Sequence, residues 1–304
     1  MDSFYTELKE HDLFRISGSD RTKFLQGQLT CDVEKLHQKE VCPGAACNVK
    51  GRVYASFYLY NLEDCFYMSA NQGVGKITQE ALSRFLPFYQ CQFEDCAPEF
   101  SLIGLYGAES EAFIQDYFAQ VPDKGQVITT DQVRVYQIAP QLYECWLKHK
   151  APEFSEALAD SNLLKKSLIQ WQQANVLKGQ ASVTRGSSGE YTPEELNFDL
   201  AGHVSFEKGC YTGQEIVARM HYKGKARKRL YPFISTTDIT LNTNEKFKYR
   251  PEKGSEKSHT GQLVQYIPEY KTGLAILDTS VIGKNKFLTL ENPLTAKLEL
   301  VSTD

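Results

Sequence analysis

The hydrophobic pattern of this chain changes character near residue 229. From position 19 to 30, the sequence SDRTKFLQGQLT sets Phe24, Leu25, Gln28 and Leu29 at helical spacing behind a cap-competent Ser or Asp, which predicts a short amphipathic helix. RVYASFYLYN then alternates cleanly. Val53, Ala55, Phe57 and Leu59 fall on one face and Tyr54, Ser56, Tyr58 and Tyr60 on the other, the period of a strand. CFYMSA at 65–70 reads as its antiparallel neighbour. Helical periodicity returns around 77–86, 112–118 and 163–176, the last closed by Lys178-Gly179, a C-terminal stop signal. QVRVYQI and LYECWL read as strands between the second and third of these. Hairpin-like strand pairs with interspersed helices predict an α+β body over residues 1–225, built as two interleaved subdomains.

After Arg229 the helical period disappears. RLYPFIS, KFKYR, GQLVQY, GLAILD, KFLTLE and AKLELV follow one another, separated by turn-forming Gly, Asn, Pro and Lys. They predict a small β-barrel over 226–304, with the polar run PEKGSEKSH at 251–259 as a hairpin loop within it.

Composition adds limits. At 304 residues, 41% apolar and 24% charged, the chain has ordinary globular usage and room for more than one core. The opening MDSFYTELKEHDLF is acidic and lacks the apolar run of a leader or membrane anchor, so a cytoplasmic location without membrane association is expected. The eight cysteines are then expected to be reduced thiols, and with no CxxC pair the sequence offers no metal framework. A net charge of -4 argues against a generally basic, nucleic-acid-coating surface. Basic charge concentrates in one place, Arg219, Lys223, Lys225, Arg227, Lys228 and Arg229, which suits an anion or forms a solvated turn.

Chemistry gathers in residues 208–215, Lys-Gly-Cys-Tyr-Thr-Gly-Gln-Glu. Thr212 and Glu215 stand in capping-box relation, which predicts a helix running through Ile216, Val217 and Met220. Cys210 would then lie just outside a helix N-terminus with Lys208 close by, and both features favour thiolate. Gly209 and Gly213 would let the backbone turn sharply and admit a ligand. The alternative is a small buried Cys210, a core Tyr211 and a Glu215 that only caps.

This octapeptide and its surroundings, TPEELNFDLAGHVSFEKGCYTGQEIVARMHYKGKARKRL, resemble the signature of the YgfZ-type folate-binding family, related to the glycine-cleavage T-protein. The resemblance extends through FLQGQLTCDVEKL and AACNVKGRVYASFYLY. It implies a T-protein-like folate-binding α+β body of antiparallel sheets with helices, followed by a C-terminal barrel. It also implies tetrahydrofolate or a folate derivative as cofactor and iron-sulfur client enzymes as partners. The role would be support of iron-sulfur cluster assembly or repair, and through it tRNA methylthiolation. Cys210, as reactive thiol, and Lys208 carry over as working residues, with Gly209, Tyr211, Thr212, Gly213, Gln214 and Glu215 completing the motif.

Aligning LIQWQQANVLKG with the cousin's Arg-Leu-Glu-Ala-Gly places Trp171 and Gln173 as folate-binding positions, where the amide would accept from the pterin amino group. The alternative is a Trp171 packed in the core beside Leu164 and Leu168. Arg219 and its basic neighbours would hold the polyglutamate tail, a phosphate or an RNA backbone. Two other functions stay open: a folate-dependent one-carbon transferase using the Cys210 thiolate, and an RNA-binding accessory protein.

The T-protein resembles the same strand but carries an acidic pair there for aminomethyl transfer. Here the stretch is Gly51-Arg52-Val53-Tyr54-Ala55-Ser56, and Ala55 and Ser56 supply no carboxylate. No aminomethyltransferase activity is therefore expected. A glycine-cleavage assay with this protein as T-component should give only background, and turnover above it would contradict the reading.

Overall fold

A computed structural model describes residues 1–148, 151–224, 226–252, 257–282, 285–291 and 296–302; Lys225, the side chain of Lys223 and positions 253–256 of the expected hairpin loop lie outside the described residues. Among the described residues the strands form three sheets. One has five strands in the order Glu40–Cys47, Val53–Leu62, Cys65–Asn71, His11–Ser17 and Gln92–Asp95. A second has six, in the order Leu164–Lys165, Phe4–Glu7, Phe100–Tyr106, Leu142–Lys148, Val133–Ala139 and Val127–Thr129. The third is a closed six-stranded antiparallel barrel formed by Lys228–Ser235, Lys246–Pro251, His259–Ile267, Thr272–Asp278, Phe287–Leu290 and Lys297–Leu300. The body is thus α+β and its C-terminal barrel has one strand for each sequence candidate.

The two open sheets face each other across an aromatic layer. Tyr60 and Tyr67 from the first sheet stack with ring centres 5.1 Å apart, and Trp146 from the second meets Tyr60 edge-on, also at 5.1 Å. Arg134 crosses the layer, donating to the Tyr60 hydroxyl at 3.0 Å with its guanidinium 4.3 Å from the centre of the Tyr67 ring. Such contacts hold a charge in the interior by cation–π attraction and a hydrogen bond together.

This packing explains why alternation in the body did not mean one wet face. Val53–Leu62 buries Ala55, Phe57 and Leu59 in a core under the helix Val74–Ser83, while Tyr58 and Tyr60 enter the layer between the sheets. The barrel is not isolated either. Val176, Tyr191 and Phe198 of the body share a core with Leu230, Val264, Leu274 and Ile276 of the barrel.

The helix expected over 163–176 runs instead from Leu168 to Leu177. Leu164–Lys165 is a short strand pairing in parallel with Phe4 and Tyr5, and Ser167 with Gln170 forms the capping box that starts the helix. Reciprocal capping fixes the start more strongly than the periodic apolar residues upstream. Its C-terminus follows the sequence signal, with Lys178 as cap and Gly179 at φ 67°. Among the described residues no helix is long and apolar enough to cross a membrane.

Candidate functional site

Residues 208–215 form a loop and the start of the helix Gln214–Lys223. Thr212 does not cap it, contrary to the capping-box expectation. Gly213 is the N-cap at φ 86°, with no side-chain cap bond, and Thr212 Oγ1 instead reaches Gln28 Oε1 at 3.4 Å. The reason is steric: a Cβ at position 213 would stand 2.4 Å from the Asn48 carbonyl oxygen, so only glycine lets the loop close on the 48–51 turn. Gly209, by contrast, has nothing within 4 Å of an added Cβ.

Lys208 is buried, and its ammonium points into the body. Nζ donates to the carbonyl oxygens of Gln26 at 2.7 Å, Leu29 at 2.6 Å and Cys31 at 2.8 Å. An ammonium has three donors, so all are taken by backbone. Burial lowers its pKa, opposed by the nearby Cys31 and Asp32. Cys210 is exposed, as are Glu215 and Arg219. The expected pairing of this ammonium with the Cys210 sulfur is therefore replaced by a latch: Lys208 ties the loop to the end of the helix Arg21–Gln26, and Cys210 is presented at the surface. Tyr211 is buried, with the Lys208 ammonium 5.2 Å from its ring centre.

The basic cluster is also divided. Arg229 forms a two-pronged ion pair with Asp199 at 2.8 and 2.7 Å, whereas Arg219 and Arg227 are exposed.

A cavity lies elsewhere, between the two open sheets and the helix Leu168–Leu177. Its volume is about 110 Å³. Trp171 lines it; Gln173 and Arg219 do not, and Gln172 and Asn175 take the polar positions on that helix. The indole is seated on Gly104, where an added Cβ would lie 2.6 Å from the ring. Ser56 also lines the cavity, as do Tyr58, His11, His203 and Glu144.

Glu144 is the residue that the sequence reading missed. It is 2% exposed, and its Oε1 accepts from the Tyr136 hydroxyl and from Trp146 Nε1 at 2.8 Å. Among the described residues nothing donates to Oε2. The signal was present in LYECWLK, a strand buried at every position but the last with one acid in its middle.

Among the described residues nothing hydrogen-bonds to the buried Nδ1 atoms of His11 and His203. Burial lowers the pKa of both imidazoles; for His203 the value is about 3, so that ring is neutral at physiological pH. His203 is held flat against Phe198, ring centres 4.0 Å apart. The site thus offers an aromatic wall, one buried carboxylate with a free oxygen, the neutral His203 ring and the buried His11 ring.

No protein-family model matches the chain. Among curated proteins, the tRNA-modifying protein YgfZ of Colwellia psychrerythraea is 32% identical over 248 residues, spanning 80% of this chain and 75% of that protein. The chain belongs to the YgfZ family. The YgfZ of Vibrio atlanticus is 26% identical over 280 residues, 91% of this chain and 84% of its own length. Among solved structures, the glycine cleavage system aminomethyltransferase T from Bartonella henselae aligns with a TM-score of 0.74 at 15% identity, covering 99% of this chain and 85% of that one. The YgfZ-family chain therefore has the T-protein fold, barrel included. Among its described residues no group of His, Cys, Asp and Glu is arranged to hold a metal ion.

The latch makes a prediction that separates the two motif residues. Lys208→Met should lose about 2 to 4 kcal/mol by leaving buried carbonyls unpaired, while Cys210→Ala at an exposed position should stay within about 0.5 kcal/mol of wild type. Urea denaturation measures both. An unchanged midpoint for Lys208→Met would contradict the latch.

Proposed function

We propose that the cavity holds the pterin of a tetrahydrofolate and that the chain uses it, with Cys210 on the latched loop, to support iron-sulfur enzymes and through them tRNA methylthiolation. The observation that carries this reading is Glu144, a buried carboxylate with one oxygen tethered and the other open to a cavity walled by Trp171.

A pterin presents adjacent N–H donors on one edge and aromatic faces above and below. A carboxylate is the acceptor of choice for such an edge, because charge-assisted hydrogen bonds are shorter and stronger than neutral ones. Glu144 Oε2 is placed to accept, Trp171 offers an apolar face, and the His11 and His203 Nδ1 atoms are polar groups that a ligand would satisfy. Burial that is costly while empty becomes favourable on binding. The enclosed space suits a ring system, and the remainder of a folate would leave through the mouth.

These residues fit the cofactor, which when bound supplies one-carbon chemistry. The protein's part is to orient the ring, exclude water and keep the His203 imidazole neutral. The names of the YgfZ relatives support the tRNA connection, and the T-protein fold supports folate. Cys210 is free to meet a client or a sulfur-bearing intermediate because it is exposed and the loop beneath it is pinned.

Complementation tests the function. In a strain lacking its own YgfZ-family protein, wild type should restore iron-sulfur enzyme activity. Trp171→Ala and Cys210→Ala, at matched protein levels, should each restore less than about a tenth of it, on the order of the loss when one binding or reacting group is removed. Full rescue by both variants would overturn the proposal.

A further inference from the structure

A second cavity, about 500 Å³, lies beside the strand Glu40–Cys47, with Cys31 and Cys42 both in its wall. The chain at 29–31 runs antiparallel to that strand: Leu29 bridges Ala46, Thr30 N donates to the Ala45 carbonyl at 2.9 Å, and Ala45 N donates to Thr30 Oγ1 at 3.0 Å. This register sets Cys31 opposite Gly44. Cys42, two residues along, points to the same face as Gly44. An added Cβ at Gly44 would stand 2.8 Å from Cys31 Sγ, so the glycine gives the sulfur its place over the strand beside Cys42. The two sulfurs lie close enough to shift each other's ionisation.

Electrostatics makes the pair unequal. The neighbouring Cys42 thiol lowers the pKa of Cys31, helped by the Lys208 ammonium, which also holds the Cys31 carbonyl oxygen at 2.8 Å. The same neighbour, with burial, pushes Cys42 up. Cys31 is therefore the more acidic of the two thiols and the first to act as nucleophile. A thiolate with a second thiol in reach is the arrangement that peroxide-sensing dithiols need.

We propose that Cys31 and Cys42 form a disulfide switch oxidised by hydrogen peroxide. The Cys31 thiolate attacks one peroxide oxygen; the O–O bond breaks, leaving a sulfenic acid on Cys31 and a hydroxide that takes the Cys42 proton and leaves as water. The Cys42 thiolate then attacks the Cys31 sulfur. The S–S bond forms, the S–O bond breaks, and the second hydroxide takes a proton from solvent. Two thiols lose two electrons and one peroxide becomes two waters; a dithiol reductant reverses the change. Closing the bond draws the sulfurs to about 2.05 Å, and so shifts the 29–31 segment, which supplies two of the three carbonyls that hold Lys208. Oxidation thereby loosens the loop that presents Cys210. This goes beyond the folate reading and does not depend on it.

The test uses the full-length wild-type protein. It is treated with a small molar excess of hydrogen peroxide, alkylated, and digested with trypsin, which cuts after Lys35 and Lys39 between the two cysteines. The expected product is one cross-linked peptide pair carrying Cys31 and Cys42, lighter by two hydrogens and split by dithiothreitol. With Cys42→Ser, dimedone should instead label Cys31. In the oxidised wild type, amide exchange at 207–213 should quicken. If Cys31 and Cys42 remain fully alkylatable while Cys210 is consumed, or if Cys31 passes to sulfinic acid without cross-linking, the switch is wrong. Unchanged exchange at 207–213 in cross-linked protein would remove the coupling to the loop.

Discussion

A carboxylate buried between two sheets is the constraint around which the body is arranged. Glu144 sits in the middle of a strand buried at every position but the last, and a carboxyl group there is tolerated only with partners. Tyr136 and Trp146 satisfy one oxygen and belong to the aromatic layer that spaces the sheets. The layer therefore does two things at once: it contributes the burial that holds the body together, and it fixes the carboxylate at the edge of a cavity. Trp171 closes the far side because Gly104 leaves room for its ring.

The KGCYTGQE segment has a different logic from the cavity. Lys208 and Gly213 are there for shape, one gathering three carbonyls and the other letting two backbones approach closely. They set a short rigid loop whose tip carries an exposed sulfur. A motif that looked like a single chemical unit thus divides into a structural anchor and a presented thiol. The same ammonium also lies under Cys31, so the anchor touches the dithiol as well as the loop.

Much of the fold was legible in the sequence. The barrel strands, short and separated by turn residues, were readable one by one, and the alternation of Val53–Leu62 revealed its pairing with Cys65–Asn71 although both of its faces are buried. Strands such as Phe4–Glu7 and Phe100–Tyr106 were not, because they pair with partners distant in sequence and carry no local signal of that pairing. The site was less legible than the fold. Family resemblance pointed to residues 208–215, yet the cavity is assembled from His11, Ser56, Glu144, Trp171 and His203, which only the folded sheets bring together. Gln173 stands one residue from Gln172, which does line the cavity, because the rotation of this helix is set by its Ser167 start.

The claim that the Glu144 carboxylate recognises a pterin is tested most directly by calorimetric titration of tetrahydrofolate into wild type and Glu144→Gln. Glutamine keeps the oxygen that Tyr136 and Trp146 use and removes the charge, so the fold is expected to persist while affinity falls about 10- to 100-fold, the worth of a charge-assisted hydrogen bond of roughly 1.5–3 kcal/mol. Equal affinity for the two proteins, or no saturable heat with wild type, would contradict the account.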